Sequence, residues 1–124
     1  KMNKYRTHLC SELNISNLNQ EVILSGWVDT IRDHGNLIFI DLRDNYGITQ
    51  CIIDKDNSNF LDLEKTQLET VIKIEGKVVD RSPDTINKEI ETGEIEVLIE
   101  KFEILGTCKE PAAAQPASVR VHAA

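Results

Sequence analysis

Apolar and polar residues alternate through most of the chain from residue 21 to residue 104. Over residues 36–43, Ile38, Ile40 and Leu42 fall on one side, while Leu37, Phe39, Asp41 and Arg43 fall on the other. A period of two marks a strand with one face in a core. The same pattern puts Val22, Leu24, Gly26 and Val28 inward in a long, bent strand over 21–32, with a bulge or tight coil expected at Gly26. It puts Thr49, Cys51 and Ile53 inward over 48–54, Ile72, Ile74, Gly76 and Val78 over 70–81, and Ile95, Val97 and Ile99 over 94–104. HGN at 34–36 and NYG at 45–47 are turn signals. SNFLDLEKTQ, 58–67, predicts a short helix with a Ser or Asn cap and apolar Phe60, Leu61 and Leu63.

These elements make an all-β chain with a short helix between its third and fourth strands. Long, bent first and fourth strands in that order suit a five-stranded Greek-key barrel, the OB-fold. The absence of βαβ alternation argues against a parallel sheet. Residues 1–20 are expected to form an N-terminal extension packing on the barrel, partly as helix. Residues 21–105 form the barrel. Residues 106–124, which include the Ala- and Pro-rich PAAAQPASVRVHAA, are read as a linker or a non-native tail.

Composition narrows the picture. A length of 124 residues suits one domain. No apolar run approaches the ~20 residues of a membrane helix, and the start lacks the apolar stretch of a signal peptide. Lys1 ahead of Met2 reads as an added residue. Three cysteines without a CxxC pair, and three histidines at no zinc-ligand spacing, point to no metal site and to a reduced, cytoplasmic protein. The net charge of −7 argues against an unspecific grip on a phosphate backbone. There is no GxSxG, HExxH, P-loop or dinucleotide-binding glycine pattern. No catalytic residue is therefore expected, and the chain reads as a binding module.

OB-folds bind oligonucleotides on the face of strands two and three, flanked by the 1–2 and 4–5 loops. Here that face carries Phe39, Arg43 and Gln50. The 1–2 loop carries Arg32, Asp33 and His34, and the 4–5 loop runs from Arg81 to Gly93. An exposed ring is a stacking platform, a Gln amide offers a donor and an acceptor, and a guanidinium is a planar fork. Each residue also has a plain structural reading. Phe39 would pack under a loop or at a barrel end, RDHG would be only a turn, and Glu96 only one of a row of solvated carboxylates.

YRTHLCSEL at 5–13, GWVDTIRDHGNLIFIDLRDNYGITQ at 26–50 and TGEIEV at 92–97 resemble the N-terminal anticodon-binding domain of bacterial-type aspartyl-tRNA synthetases, a class II family. The resemblance covers about residues 5–105. It implies a parent enzyme, an ATP- and Mg-dependent aspartate–tRNA ligase and homodimer, whose catalytic motifs this chain lacks, so that the fragment itself has no cofactor and no ligase activity. It implies tRNA-Asp as partner, with tRNA-Asn as a wider reading, and no membrane. By the same resemblance Phe39 would stack on the middle anticodon base, a uracil, and Gln50 would bond its edge. Arg32 would contact the last bases and Glu96 the first, a guanine or its modified form, while Arg81 and Asn87 would support the anticodon from the fourth strand's end and the loop after it. Thr30 and Ile31 replace two arginines usual in the family, and Thr85 stands where relatives often have asparagine. A histidine in the RDHG turn, here His34, tends to accompany enzymes that charge both tRNAs. The competing readings are a general single-stranded nucleic-acid-binding OB-fold protein and a protein-interaction barrel.

Overall fold

The computed structural model describes residues 5–107. Five strands, β1 (Glu21–Asp33), β2 (Leu37–Arg43), β3 (Ile48–Asp54), β4 (Thr70–Asp80) and β5 (Ile95–Thr107), form a closed barrel in the order β1-β2-β3-β5-β4. One short helix, α1 (Phe60–Glu64), stands between β3 and β4. The fold is the expected mostly-β OB-fold. All contacts in the ring are antiparallel except β3 with β5, which run parallel and meet at only two residue pairs, Cys51–Val97 and Ile52–Leu98.

The alternating apolar residues fill the interior. Leu24, Val28, Ile38, Ile40, Leu42, Cys51, Ile53, Ile72, Ile74, Val78, Ile95 and Val97 are fully buried. Burying each large aliphatic side chain stabilises the fold by roughly 1.5–3 kcal/mol. Truncating one, as in Ile40→Ala, would cost about 2–5 kcal/mol because a cavity remains. Phe60 and Leu63 of α1 are buried against this core, whereas Leu61 is largely exposed. No side chain caps α1 from its N-cap Asn59. Instead, Asn57 accepts from the Asn59 N–H at 2.7 Å and donates from Nδ2 to the Ile99 and Glu100 carbonyls, tying the helix start to β5.

β1 is long because it serves two neighbours. Its first half pairs with β4, from Glu21–Lys77 to Trp27–Val71, and its second with β2, from Trp27–Arg43 to Asp33–Ile38. Gly26 lies where β1 passes from one partner to the other. A Cβ there would sit 2.4 Å from the Arg43 carbonyl oxygen, so only glycine allows the close crossing. Of the bulge or tight coil expected at Gly26, the bulge is elsewhere: Gly26 keeps regular register with Ile72, and the shift in the β1–β2 ladder falls between Val28 and Thr30.

Residues 5–20 run along the barrel. The Thr7 N–H donates to the Ile23 carbonyl, the Cys10 N–H to Asp44 Oδ2, and the Asn19 N–H to the Val78 carbonyl. Cys10 and Leu13 are buried. The helical part of this segment is a single 3-10 turn, Ile15–Asn17, capped by Asn14. At the other end β5 continues to Thr107, past the 104–105 limit that the alternation suggested. The Ala- and Pro-rich tail lies outside the described residues. Among the described residues no helix is long and apolar enough to cross a membrane.

Candidate nucleic-acid interface

The Val28/Thr30 bulge decides which β1 side chains reach the outer face. Inward alternation from Val28 would send Thr30 and Arg32 into the core. One extra residue, Asp29, reverses the parity, as a bulge does. Thr30 then pairs with Asp41 and Arg32 with Phe39, on the outside of the barrel, while Ile31 turns toward the core. Asp29 meets Arg43, with Nε–Oδ1 at 3.2 Å and Nη2–Oδ2 at 3.4 Å. Arg43 is therefore engaged at the edge of the face.

The turn after β1 is built by its own residues. The Gly35 N–H donates to Asp33 Oδ1 at 2.8 Å, and Gly35 adopts φ +82°, a left-handed conformation that favours glycine. The turn brings His34 over Phe39, with ring centroids 4.9 Å apart and planes at 66°. The Arg32 guanidinium carbon lies 5.9 Å from the Phe39 centroid. Phe39 is half-buried on the outer face, flanked by an imidazole and a cation, and is no part of the core.

Beside this ring runs a polar chain across four strands. Arg32 Nη1 donates to Asp41 Oδ2 at 3.0 Å and to Thr30 Oγ1 at 3.0 Å, and Thr30 Oγ1 donates to Asp41 Oδ2 at 2.8 Å. Arg32 Nη2 donates to Gln50 Oε1 at 2.9 Å, and Gln50 Nε2 donates to Glu96 Oε1 at 2.7 Å. Gln50 is only 6% exposed, so bulk water cannot settle its amide. Its neighbours do. Arg32 has donors only and demands the oxygen, while ionised Glu96 has acceptors only and demands the NH2 group. A turned amide would set NH2 against guanidinium and C=O against carboxylate. In the orientation that remains, these two bonds leave one acceptor lone pair and one N–H of Gln50 unused.

The 4–5 loop is arranged differently. Arg81 is buried at the end of β4, and donates from Nε to the Ile95 carbonyl at 3.0 Å and from Nη1 to the Thr85 carbonyl at 2.9 Å. Burial pushes its guanidinium below the ordinary range, opposed chiefly by the nearby Glu96 carboxylate and then by Asp41. Asn87 is exposed, and its side-chain oxygen accepts from the Glu89 N–H at 2.9 Å, so it shapes its own turn. Of the seven sequence-predicted residues, Arg32, His34, Phe39, Gln50 and Glu96 thus stand together. Arg81 is buried near Glu96 and bonded to the Ile95 and Thr85 carbonyls, and Asn87 is exposed on the loop. Asp41 and Thr30, which join this cluster, were not among the candidates. Asp41's place beside Phe39 on the outer face was the available signal.

Residues 22–105 match the model of the OB-fold nucleic acid binding domain family. The chain belongs to this family. It is 69% identical over 109 residues to an aspartate–tRNA(Asp/Asn) ligase of Pelagibacter ubique, and 50% identical over the same length to one of Cereibacter sphaeroides. These alignments cover 88% of this chain, which spans 18% of the length of each relative. Among solved structures it is similar to the asparaginyl-tRNA synthetase of Pyrococcus horikoshii complexed with asparaginyl-adenylate, with a TM-score of 0.68 and 27% identity over 89% of this chain and 26% of that one. An OBody bound to hen egg-white lysozyme shares the fold, with a TM-score of 0.70 and 19% identity over 87% of this chain and all of the OBody. In this OB-fold domain the aromatic ring and the polar chain lie on the β1–β2–β3 face and its β5 neighbour. Among the described residues no three His, Cys, Asp or Glu side chains gather to hold a metal ion.

Proposed function

We propose that this OB-fold domain recognises the anticodon loop of tRNA-Asp, and also of tRNA-Asn, on behalf of an aspartate–tRNA ligase. The observation that carries the reading is the half-buried Phe39 ring beside Gln50, whose amide keeps one donor and one acceptor. An unstacked base laid on Phe39 would gain roughly 1–3 kcal/mol from stacking. Its Watson–Crick edge would then meet Gln50. Arg32 uses three of its five N–H donors within the protein, which leaves two for the last anticodon base or its phosphate. Glu96 has a second carboxylate oxygen to accept from a guanine at the first position. Arg81 and Asn87 serve through the 4–5 loop, Arg81 by holding it and Asn87 from its exposed turn. His34 has ring nitrogens that donate or accept, which suits a last base that differs between the two tRNAs.

The reading also accounts for an acidic RNA-binding domain. Directed contacts to splayed bases replace a basic field. The ligase activity, its ATP and Mg, and a homodimeric assembly in the cytoplasm are assigned to the parent protein.

Titration of the chain with a tRNA-Asp anticodon stem-loop and with a scrambled loop, each at two salt concentrations, tests the proposal. The expected result is a preference of at least about tenfold, roughly 1.4 kcal/mol, for the native loop, with a shallow salt dependence. Equal affinity for both loops with a steep salt slope would instead identify a general single-strand binder. No binding to either would leave the protein-interaction reading.

A further inference from the structure

We propose that Asp41 is a positioning residue that sets which pyrimidine Gln50 accepts; the inference rests on the anticodon-loop reading above. Gln50 is built to read a base edge, but a Gln amide has no fixed polarity of its own. Uracil presents an N–H donor at N3 beside an acceptor at O4. Cytosine presents an acceptor at N3 beside a donor at N4. The two edges are the same shape with the order reversed. Turning the amide by half a rotation converts a uracil reader into a cytosine reader with no other change in the site. Choice between the two bases therefore depends on whatever holds the amide in one orientation.

On one side the hold is the Glu96 carboxylate, 2.7 Å from Gln50 Nε2. On the other side it is Arg32, 2.9 Å from Gln50 Oε1. Arg32 is a long side chain, 41% exposed, and does not stay there unaided. Asp41 lies opposite Gln50 in the β2–β3 register and opposite Thr30 in the β1–β2 register. Its Oδ2 accepts from both Arg32 Nη1 and Thr30 Oγ1, and the Thr30 hydroxyl in turn accepts from the same Nη1. This closed triangle fixes one end of the guanidinium and directs Nη2 at Gln50. With Asp41 truncated, Arg32 is free to turn into solvent, and one of the two constraints on the amide is lost. Asp41 need not touch the base. It acts through Arg32 on Gln50.

Two independent readouts test this on the full chain with Asp41→Ala and Thr30→Val. The first needs no RNA. In nitrogen-15 spectra of the wild type, one Gln50 Nε2 proton should be shifted downfield and protected from exchange. In Asp41→Ala that proton should move part of the way toward its free-glutamine position and lose part of its protection, because Glu96 still accepts from Nε2, and in Thr30→Val it should move the same way by less. The second is binding to anticodon stem-loops that differ only in U or C at the middle base. Asp41→Ala should reduce the wild-type preference for U about tenfold, partly by a gain for C. A merely structural role would weaken both loops alike and leave the ratio unchanged. Melting curves check whether each variant is folded, and Thr30→Val carries the test if Asp41→Ala is not. Unchanged Gln50 signals in a folded variant overturn the proposal, as does an unchanged U:C ratio with shifted signals. If the wild type binds neither loop, the anticodon reading fails, and the spectra alone decide whether Asp41 positions Gln50.

Discussion

Two arginines border the Gln50–Glu96 pair, and they are used in opposite ways. Arg32 is partly exposed, bonds only to side chains, and keeps donors in reserve. Arg81 is buried and gives its donors to two main-chain carbonyls of the 4–5 loop region. Bonds to side chains can be exchanged for bonds to a ligand when one arrives. Bonds from a buried guanidinium to carbonyls cannot be given up without leaving acceptors stranded. One end of the face is thus equipped to read, and the other to hold its shape.

The largest effect should come from breaking the holding end. Arg81→Met keeps much of the stem but removes two charge-assisted hydrogen bonds. It should lower stability by about 3 kcal/mol in urea or thermal melting. The same change at Arg32 should leave the melting curve within about 1 kcal/mol of the wild type and act on binding instead. A similar loss of stability from both would erase the distinction between the two ends.

Next in size is Phe39→Ala. Affinity for the native anticodon loop should fall by roughly 1–3 kcal/mol, measured by titration. If the ring were instead part of the core, stability would drop by about 3–5 kcal/mol. Melting and binding measured on one sample decide between these.

Smaller again is Glu96→Gln, where the two ends meet. The amide can still accept from Gln50 but now turns a donor toward the first base. Preference for guanine there should fall about tenfold, or 1.4 kcal/mol. Equal relative affinities before and after, across loops differing only at that base, would remove Glu96 from the reading end. The smallest expected change is His34→Leu. The wild type should bind the Asp and Asn loops within about tenfold of each other, and the variant should favour the Asp loop more. Paired titrations in identical salt check this, and an unaltered ratio would make His34 only a turn residue.

The alternation of Ile38, Ile40 and Leu42 made both the core and the outward placement of Phe39 legible, because a strand's pleat is strictly periodic. Arg32 was harder. Counting onward from Val28 sends it inward, and nothing in VDTIR announces the extra residue at Asp29. Gly26 looked like the irregular point because glycine is unusual in a strand, yet its role is to admit the Arg43 carbonyl. Of the three apolar residues that marked α1, Phe60 and Leu63 are buried and Leu61 is exposed, since a helix of five residues buries few side chains. Arg81 was read as a support for the anticodon at the end of the fourth strand; its bonds to the Ile95 and Thr85 carbonyls depend on where β5 and the 4–5 loop lie beside β4, which the pattern of one strand does not contain. Asp41 was visible on the outer face, but its part in the Arg32–Thr30 triangle is a matter of register between strands, which a single strand's pattern does not contain.

The parallel contact between β3 and β5 has a consequence for how the barrel breathes. It joins segments far apart in sequence through two residue pairs, so it is the part of the ring expected to form late and open early. The Gln50–Glu96 hydrogen bond crosses that same line, from β3 to β5. A base held by both residues would act as a rivet across the seam. Amide hydrogen exchange along Cys51, Ile52, Val97 and Leu98 should then slow when the loop binds, in proportion to how fully both residues are engaged.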